Sequence, residues 1–139
     1  MVEVIVSIGV ASMVVLGFTY LNFQNIRISQ HNILNLQANL YAMEALEIAK
    51  ELEISNWDEF DECSTKCHPR IDGGFWELAS GEEGIGGEGV FTRWMEVEDY
   101  FDPDLLGDSK KVTVFVTFSD GLGDHEIKVE TYVFDINQI

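Results

Sequence analysis

Positive charge is what this sequence has least of. Eight Lys and Arg stand against twenty-five Asp and Glu, for a formal charge of −17. A nucleic-acid surface needs Lys and Arg to displace counterions from phosphates, so this balance argues against DNA or RNA as a direct ligand. It argues equally against docking on anionic lipid. The imbalance is uneven, with −3 over residues 1–57 and −14 over residues 58–139. Proline is scarce too: there are two, neither before Pro69, so nothing in the first half forbids a long helix. Recognisable catalytic patterns are missing. Three scattered His and no Gly-x-Ser-x-Gly turn give no nucleophile–base arrangement. The glycine-rich stretch at 80–89, SGEEGIGGEG, has no Lys and the wrong sign for a phosphate loop. No enzymatic activity and no cofactor are expected.

A further absence is local. From Val4 to Phe23 there is no charged side chain, and only Ser7, Ser12, Thr19 and Asn22 are strongly polar. As a helix this run spans roughly 30 Å, the thickness of a bilayer core. The basic n-region, short apolar core and Ala-x-Ala-like site of a cleavable signal are all lacking, and nothing basic precedes Arg27. A retained membrane or core helix is expected. Glu3 stands at its very start. A carboxylate carried unpaired to the bilayer centre costs on the order of 2.5–3.5 kcal/mol. Glu3 therefore stays at the interface, where it complements a helix N-terminus, or meets a cationic partner inside an assembly.

Helical signals continue beyond Phe23. There is neither Gly nor Pro from Asn25 to Trp57, and Ile26, Ile33, Leu36, Leu40, Met43, Leu46 (or Ala45), Ala49 and Leu52 fall at spacings that mark one helix face. The spacing predicts one helix from about Val4 to about Ile54, ending at Ser55-Asn56. A polar loop over 58–74 follows, and the period then changes from 3.6 to 2. Strands are expected at Phe75–Ala79, Val90–Val97, Val112–Ser119 and Glu126–Phe134, with loops at Ser80–Gly89 and Asp99–Ser109. Val112, Val114, Val116 and Phe118 share one face, as do Ile127, Val129, Thr131 and Val133. Asp120-Gly121-Leu122-Gly123-Asp124 between them is turn chemistry, so these strands form an antiparallel hairpin. The expected class is α+β: an apolar helix half at 1–24, an amphipathic half at 25–56, and an acidic antiparallel β-sheet head at 57–139. The stripe from Ile33 to Leu52 is expected to cover the sheet, leaving the apolar half protruding.

These residues carry a resemblance. The start, MVEVIVSIGVASMVVLGF, resembles the N-terminal segment of type IV pilins and pseudopilins: an aromatic, three residues, Glu, then about twenty apolar residues. QANLYAMEALEIAKELEISNW is similar to the second half of the long helix in minor pilin-like proteins, and VTVFVTFSDGLGDHEIKVETYVF looks like their terminal hairpin. The resemblance implies that Glu3 neutralises the N-terminal amine of a neighbouring subunit during filament assembly. With Glu3 at that position, Met1 falls at the third mature position, and the aromatic first residue, its methylated amine and the peptidase-cleaved leader lie outside this numbering. Many bacterial relatives have a Pro where the helix leaves the membrane; with none here, a more continuous helix is expected, with Gly9 and Gly17 as weak points. The resemblance further implies a structural subunit, inserted in the membrane before assembly and then part of an extracellular filament on a prokaryotic surface. Its partners would be itself or other pilins and an inner-membrane assembly platform. A minor pilin or pseudopilin that primes or tips a secretion or uptake machine is an alternative. A single-pass anchored binding module is another.

Further candidate residues are few. Ser7, Gly9, Ala11, Ser12 and Gly17 are small residues suited to helix packing. Cys63 and Cys67 lie in a polar loop beside His68. An intraloop disulfide is the favoured reading, since only three metal ligands are evident. Asp99, Asp102, Asp104 and Asp108 cluster in one loop, and Asp120 and Asp124 flank another. These are weak calcium candidates, because EF-hand spacing is absent and solvated acids explain them as well. His31 and His125 read as surface or packing residues. Trp57, Trp76, Trp94, Phe75, Phe91 and Tyr100 are expected in the core, with an exposed minority able to form an adhesive patch.

Overall fold

The lack of proline before Pro69 has its counterpart in α1 (Val2–Ser55), 54 residues of helix that run through Gly9 and Gly17 without a break. An interior Gly costs only about 1 kcal/mol, against about 3 for Pro. The computed structural model describes residues 2–63, 65–101 and 108–135. Two compact units divide the chain, Met1–Leu34 and Asn35–Ile139. The first is helix alone.

In the second unit α1 ends where Asn56 N donates to Leu52 O at 2.9 Å, and a one-turn helix α2 (Glu59–Glu62) presses Phe60 into the core at 1 % exposure. Six strands follow: β1 (Cys67–Asp72), β2 (Phe75–Ser80), β3 (Glu83–Ile85), β4 (Phe91–Tyr100), β5 (Ser109–Asp120) and β6 (Gly123–Phe134). They form one antiparallel sheet in the order β2-β1-β4-β5-β6, with β3 also paired to β4. The β1–β2 hairpin turns on Gly73 and Gly74, at φ 58° and 91°, because a turn of that hand needs positive φ at both central residues. The β5–β6 hairpin is closed by Leu122 N donating to Asp120 Oδ1 at 2.7 Å. Its register pairs Val112 with Thr131, Val114 with Val129 and Val116 with Ile127.

The expected α+β class, with the second half of the long helix packed on an antiparallel sheet, is the observed one. Several local expectations need correction. β1 and β3 arise inside segments read as loops, and β4 extends to Tyr100. The helix face on the sheet matches the predicted stripe only from Ala45 and Leu46 through Ala49 to Leu52. Ala38, Ala42, Ala45, Leu46, Ile48, Ala49 and Leu52 are buried, whereas Leu36, Leu40 and Met43 are exposed. Four alanines at spacings of four and three lie on this buried face, and Phe91, Met95, Val112, Val114 and Val116 are buried on the sheet. Of the aromatics expected in the core, only Phe91 is buried; Phe75 is 80 % exposed.

Two carboxylates fasten helices to strand backbones. Glu53 on α1 accepts a hydrogen bond from Phe134 N at 2.8 Å. Glu59 on α2 accepts one from Leu78 N at 2.9 Å, a donor on edge strand β2.

The alanine face makes an opposite pair of predictions. Ala45→Leu should overpack the helix–sheet contact and cost about 1–3 kcal/mol, while Leu40→Ala should stay within about 0.5 kcal/mol of the parent. Denaturant unfolding of the full chain in detergent, followed by tryptophan fluorescence, checks both.

Candidate functional site

The first unit is a helix whose side chains are exposed from Val2 to Gln30. Its polar groups are mostly satisfied from within. Ser7 Oγ donates to Glu3 O at 2.8 Å, Ser12 Oγ to Ile8 O at 2.8 Å and Thr19 Oγ1 to Val15 O at 2.9 Å. Gln24 Nε2 donates to Tyr20 Oη at 2.8 Å. Such return bonds to the carbonyl four residues back remove the need for water and suit an apolar surrounding. The Glu3 carboxylate differs: it has no hydrogen-bond or ion-pair partner among the described residues. Helical spacing places Glu3, Ser7 and Ala11 on one face, where with Val4 and Ile8 they line a shallow groove. Gly9, Ser12 and Gly17 do not line it, and a Cβ on either glycine would meet nothing within 4 Å. α1 is long and apolar enough to cross a membrane.

In the second unit the scarce cations are committed to holding the fold. Arg93, on the inward face of β4, is 5 % exposed. Its Nε donates to Glu83 Oε1 at 2.7 Å and its Nη1 to Tyr41 O at 2.9 Å, with Glu44 Oε2 at 3.4 Å. One guanidinium thus joins α1, β3 and β4. Sequence reading missed it, although the position between Phe91 and Met95 in the alternation places it inward. Lys110 Nζ donates to Asp61 and, at 3.0 Å, to Asp99. Burial pushes the Lys110 ammonium pKa down, but the bonds to Asp61 and Asp99 outweigh it and leave the pKa raised. Lys111 is raised chiefly by its bond to Glu98, and Glu130 is held low by the bond from Lys128 and then by Lys111.

Cys63 and Cys67 form a disulfide with Cα atoms 5.7 Å apart, so neither sulfur is a thiolate ligand and the Cys-Cys-His metal set does not exist in this state. His68 Nδ1 lies 3.3 Å from Gly81 O. The bridge joins the end of α2 to the start of β1. Of the four acids considered for calcium, Asp99 is bound to Lys110, while Asp102 and Asp104 lie outside the described residues. Asp120 accepts from Leu122 N and lies 3.0 Å from His125 Nε2, and Asp124 accepts from Ser119 Oγ.

The outer face of the sheet holds two of the remaining cations. Trp94 and Phe115 stack across β4 and β5 with centroids 5.2 Å apart and planes at 10°. Lys66 Nζ sits 4.1 Å from the Trp94 ring and Lys128 Nζ 5.7 Å from that of Phe115. Each aromatic face is thereby shielded by a cation. No protein-family model, curated protein or solved structure matches this chain. A long N-terminal apolar helix with an antiparallel sheet is consistent with pilin-like architecture on structural grounds alone.

Arg93→Ala should destabilise the second unit by about 1.5–3 kcal/mol, because it removes the hydrogen bonds of a buried guanidinium to Glu83 and to Tyr41 O; chemical denaturation reads this. Lys110 gives a pH signature. Its folded pKa lies above the unfolded value of about 10.4, so its contribution is complete below that pH and is lost as pH rises through the folded value. Thermal unfolding between about pH 9 and 12 should show this alkaline loss, and Lys110→Met should flatten it.

Proposed function

We propose that this chain is a structural subunit of a type IV pilus-like filament, polymerising through the apolar part of α1 while the acidic α+β head faces water. The reading is carried by one observation: an apolar helix surface whose hydroxyls bond within the helix, while the carboxylate of Glu3 at its start has no partner among the described residues. Before assembly the helix is stored in lipid. Moving it from lipid to a bundle of like helices yields little hydrophobic free energy, because lipid tails are as apolar as Leu. Packing and the capture of Glu3 by a neighbouring cation therefore supply the specificity. The charge of −14 over residues 58–139 keeps unassembled heads apart. No catalysis is asked of this chain, and the work of extracting it from the membrane belongs to a separate machine.

Glu3→Ala should leave insertion and head stability unchanged yet reduce incorporation into sheared filaments at least tenfold. Quantitative immunoblots of sheared and membrane fractions read both quantities. Equal incorporation of variant and parent would instead favour a single-pass anchored binding module.

A further inference from the structure

We propose that the free edge of β6 takes up an extended segment of another protein, in which apolar and cationic residues alternate, as a seventh strand of the sheet. This concerns the second unit alone and stands whether or not the chain polymerises.

The backbone defines the site. β6 is the last strand in the sheet order, twelve residues long and paired with β5 on one side. Just beyond it, Asp135 N donates to Asp108 O at 3.0 Å. In an antiparallel ladder alternate residues turn both backbone groups to the same neighbour. Odd-numbered residues of β6 therefore serve β5, and even-numbered ones face away. Phe134 follows this rule, since its N–H is the one that reaches the Glu53 carboxylate at 2.8 Å. Among the described residues, no acceptor meets the N–H of Glu126, Lys128, Glu130 or Tyr132. Their backbone groups form an open row roughly 20 Å long, a template for strand addition. The opposite edge differs: β2 is half as long, and Glu59 takes its Leu78 N–H.

Side chains on either side of the row set the chemistry of the occupant. On the inward face Val112, Val114 and Val116 of β5 are fully buried, whereas their partners Thr131, Val129 and Ile127 on β6 are only half-buried. The apolar layer reaches the edge incompletely covered, and a strand with apolar residues at every second position extends it. On the outward face Glu126, Glu130 and Tyr132 are exposed, while Lys128 is bound to Glu130 at 2.8 Å and lies over Phe115. With −14 over residues 58–139, cationic side chains are the complement at the intervening positions. A second copy brings the same excess of acid to the contact, so charge favours a basic partner over self-pairing.

The probe is acetyl-Lys-Val-Lys-Val-Lys-Val-Lys-amide, titrated against the full chain in detergent and followed by residue-resolved amide hydrogen exchange. In the free chain the amides of Glu126, Lys128, Glu130 and Tyr132 should exchange freely. Saturating peptide should slow them by about tenfold or more, while the β5-facing amides of Ile127 and Val129 change by less than about threefold. A peptide of the same composition in blocks, Lys-Lys-Lys-Lys-Val-Val-Val, should bind about tenfold more weakly. Glu130→Pro removes one outward N–H without touching the β5 ladder and should weaken the alternating peptide by about tenfold. Glu130→Gln, which removes only charge, should weaken it by about threefold. Equal binding of the two peptides with no change at the even-numbered amides reduces the contact to charge attraction and overturns the proposal, as does absence of binding. Even-numbered amides already slow in the free chain reveal an edge covered by the chain itself, or by a second copy where protection rises with protein concentration; either result overturns it too. Should Glu130→Pro fail to fold, the exchange pattern of the parent decides alone.

Discussion

In surroundings without water every polar group must find its partner within the protein, and α1 meets that demand almost throughout its apolar part. Ser7, Ser12 and Thr19 return their hydroxyl protons to carbonyls one turn back, and the helical ladder satisfies the backbone. Glu3 is left with a charge that no neighbour on its own helix neutralises. An unpaired carboxylate is costly away from water, so Glu3 either keeps contact with water or needs a cation from outside its own helix. That imbalance is the physical basis for reading the first unit as an assembly surface.

The second unit solves a different problem. An acidic head has few cations with which to organise itself, and it buries the two that do most. Arg93 ties α1 to β3 and β4, and Lys110 ties α2 to the end of β4 through Asp61 and Asp99. Carboxylates complete the framework, with Glu53 and Glu59 accepting from strand amides. Acids without such partners remain on the surface, where they favour solubility. Packing between these ties depends on alanine. Ala38, Ala42, Ala45 and Ala49 are buried, as are Val112, Val114 and Val116 of β5, while Leu36, Leu40 and Met43 stay in contact with solvent.

The long helix was legible because a stretch without proline and with an apolar start allows little else, and the β5–β6 hairpin because Val112–Phe118 and Ile127–Val133 alternate cleanly about a turn. The sheet-facing side of α1 was legible only in part. Hydrophobic periodicity ranks Leu above Ala, so the stripe was right at Leu46, Ala49 and Leu52 but took in the exposed Leu36, Leu40 and Met43 and passed over the buried Ala38 and Ala42. β1 was hidden by its own composition: Cys-His-Pro-Arg-Ile-Asp carries little strand propensity, and it pairs because the Gly73-Gly74 turn folds it against β2. Arg93 was passed over because a charge in a strand reads as solvent-facing. At the candidate site, Glu3 stood out against its apolar surroundings, whereas the internal bonds of Ser7, Ser12 and Thr19 required the helix to be seen.

As a filament subunit, the chain would bury the apolar surface of α1 against other copies. Cryo-electron microscopy of filaments sheared from the source cells tests it most directly. The expected result is a fibre with this chain in every subunit, the apolar helices inside, and each Glu3 within about 4 Å of a cationic nitrogen of a neighbour. Fibres lacking the chain, or a chain whose Glu3 and apolar helix touch no other subunit, would contradict it.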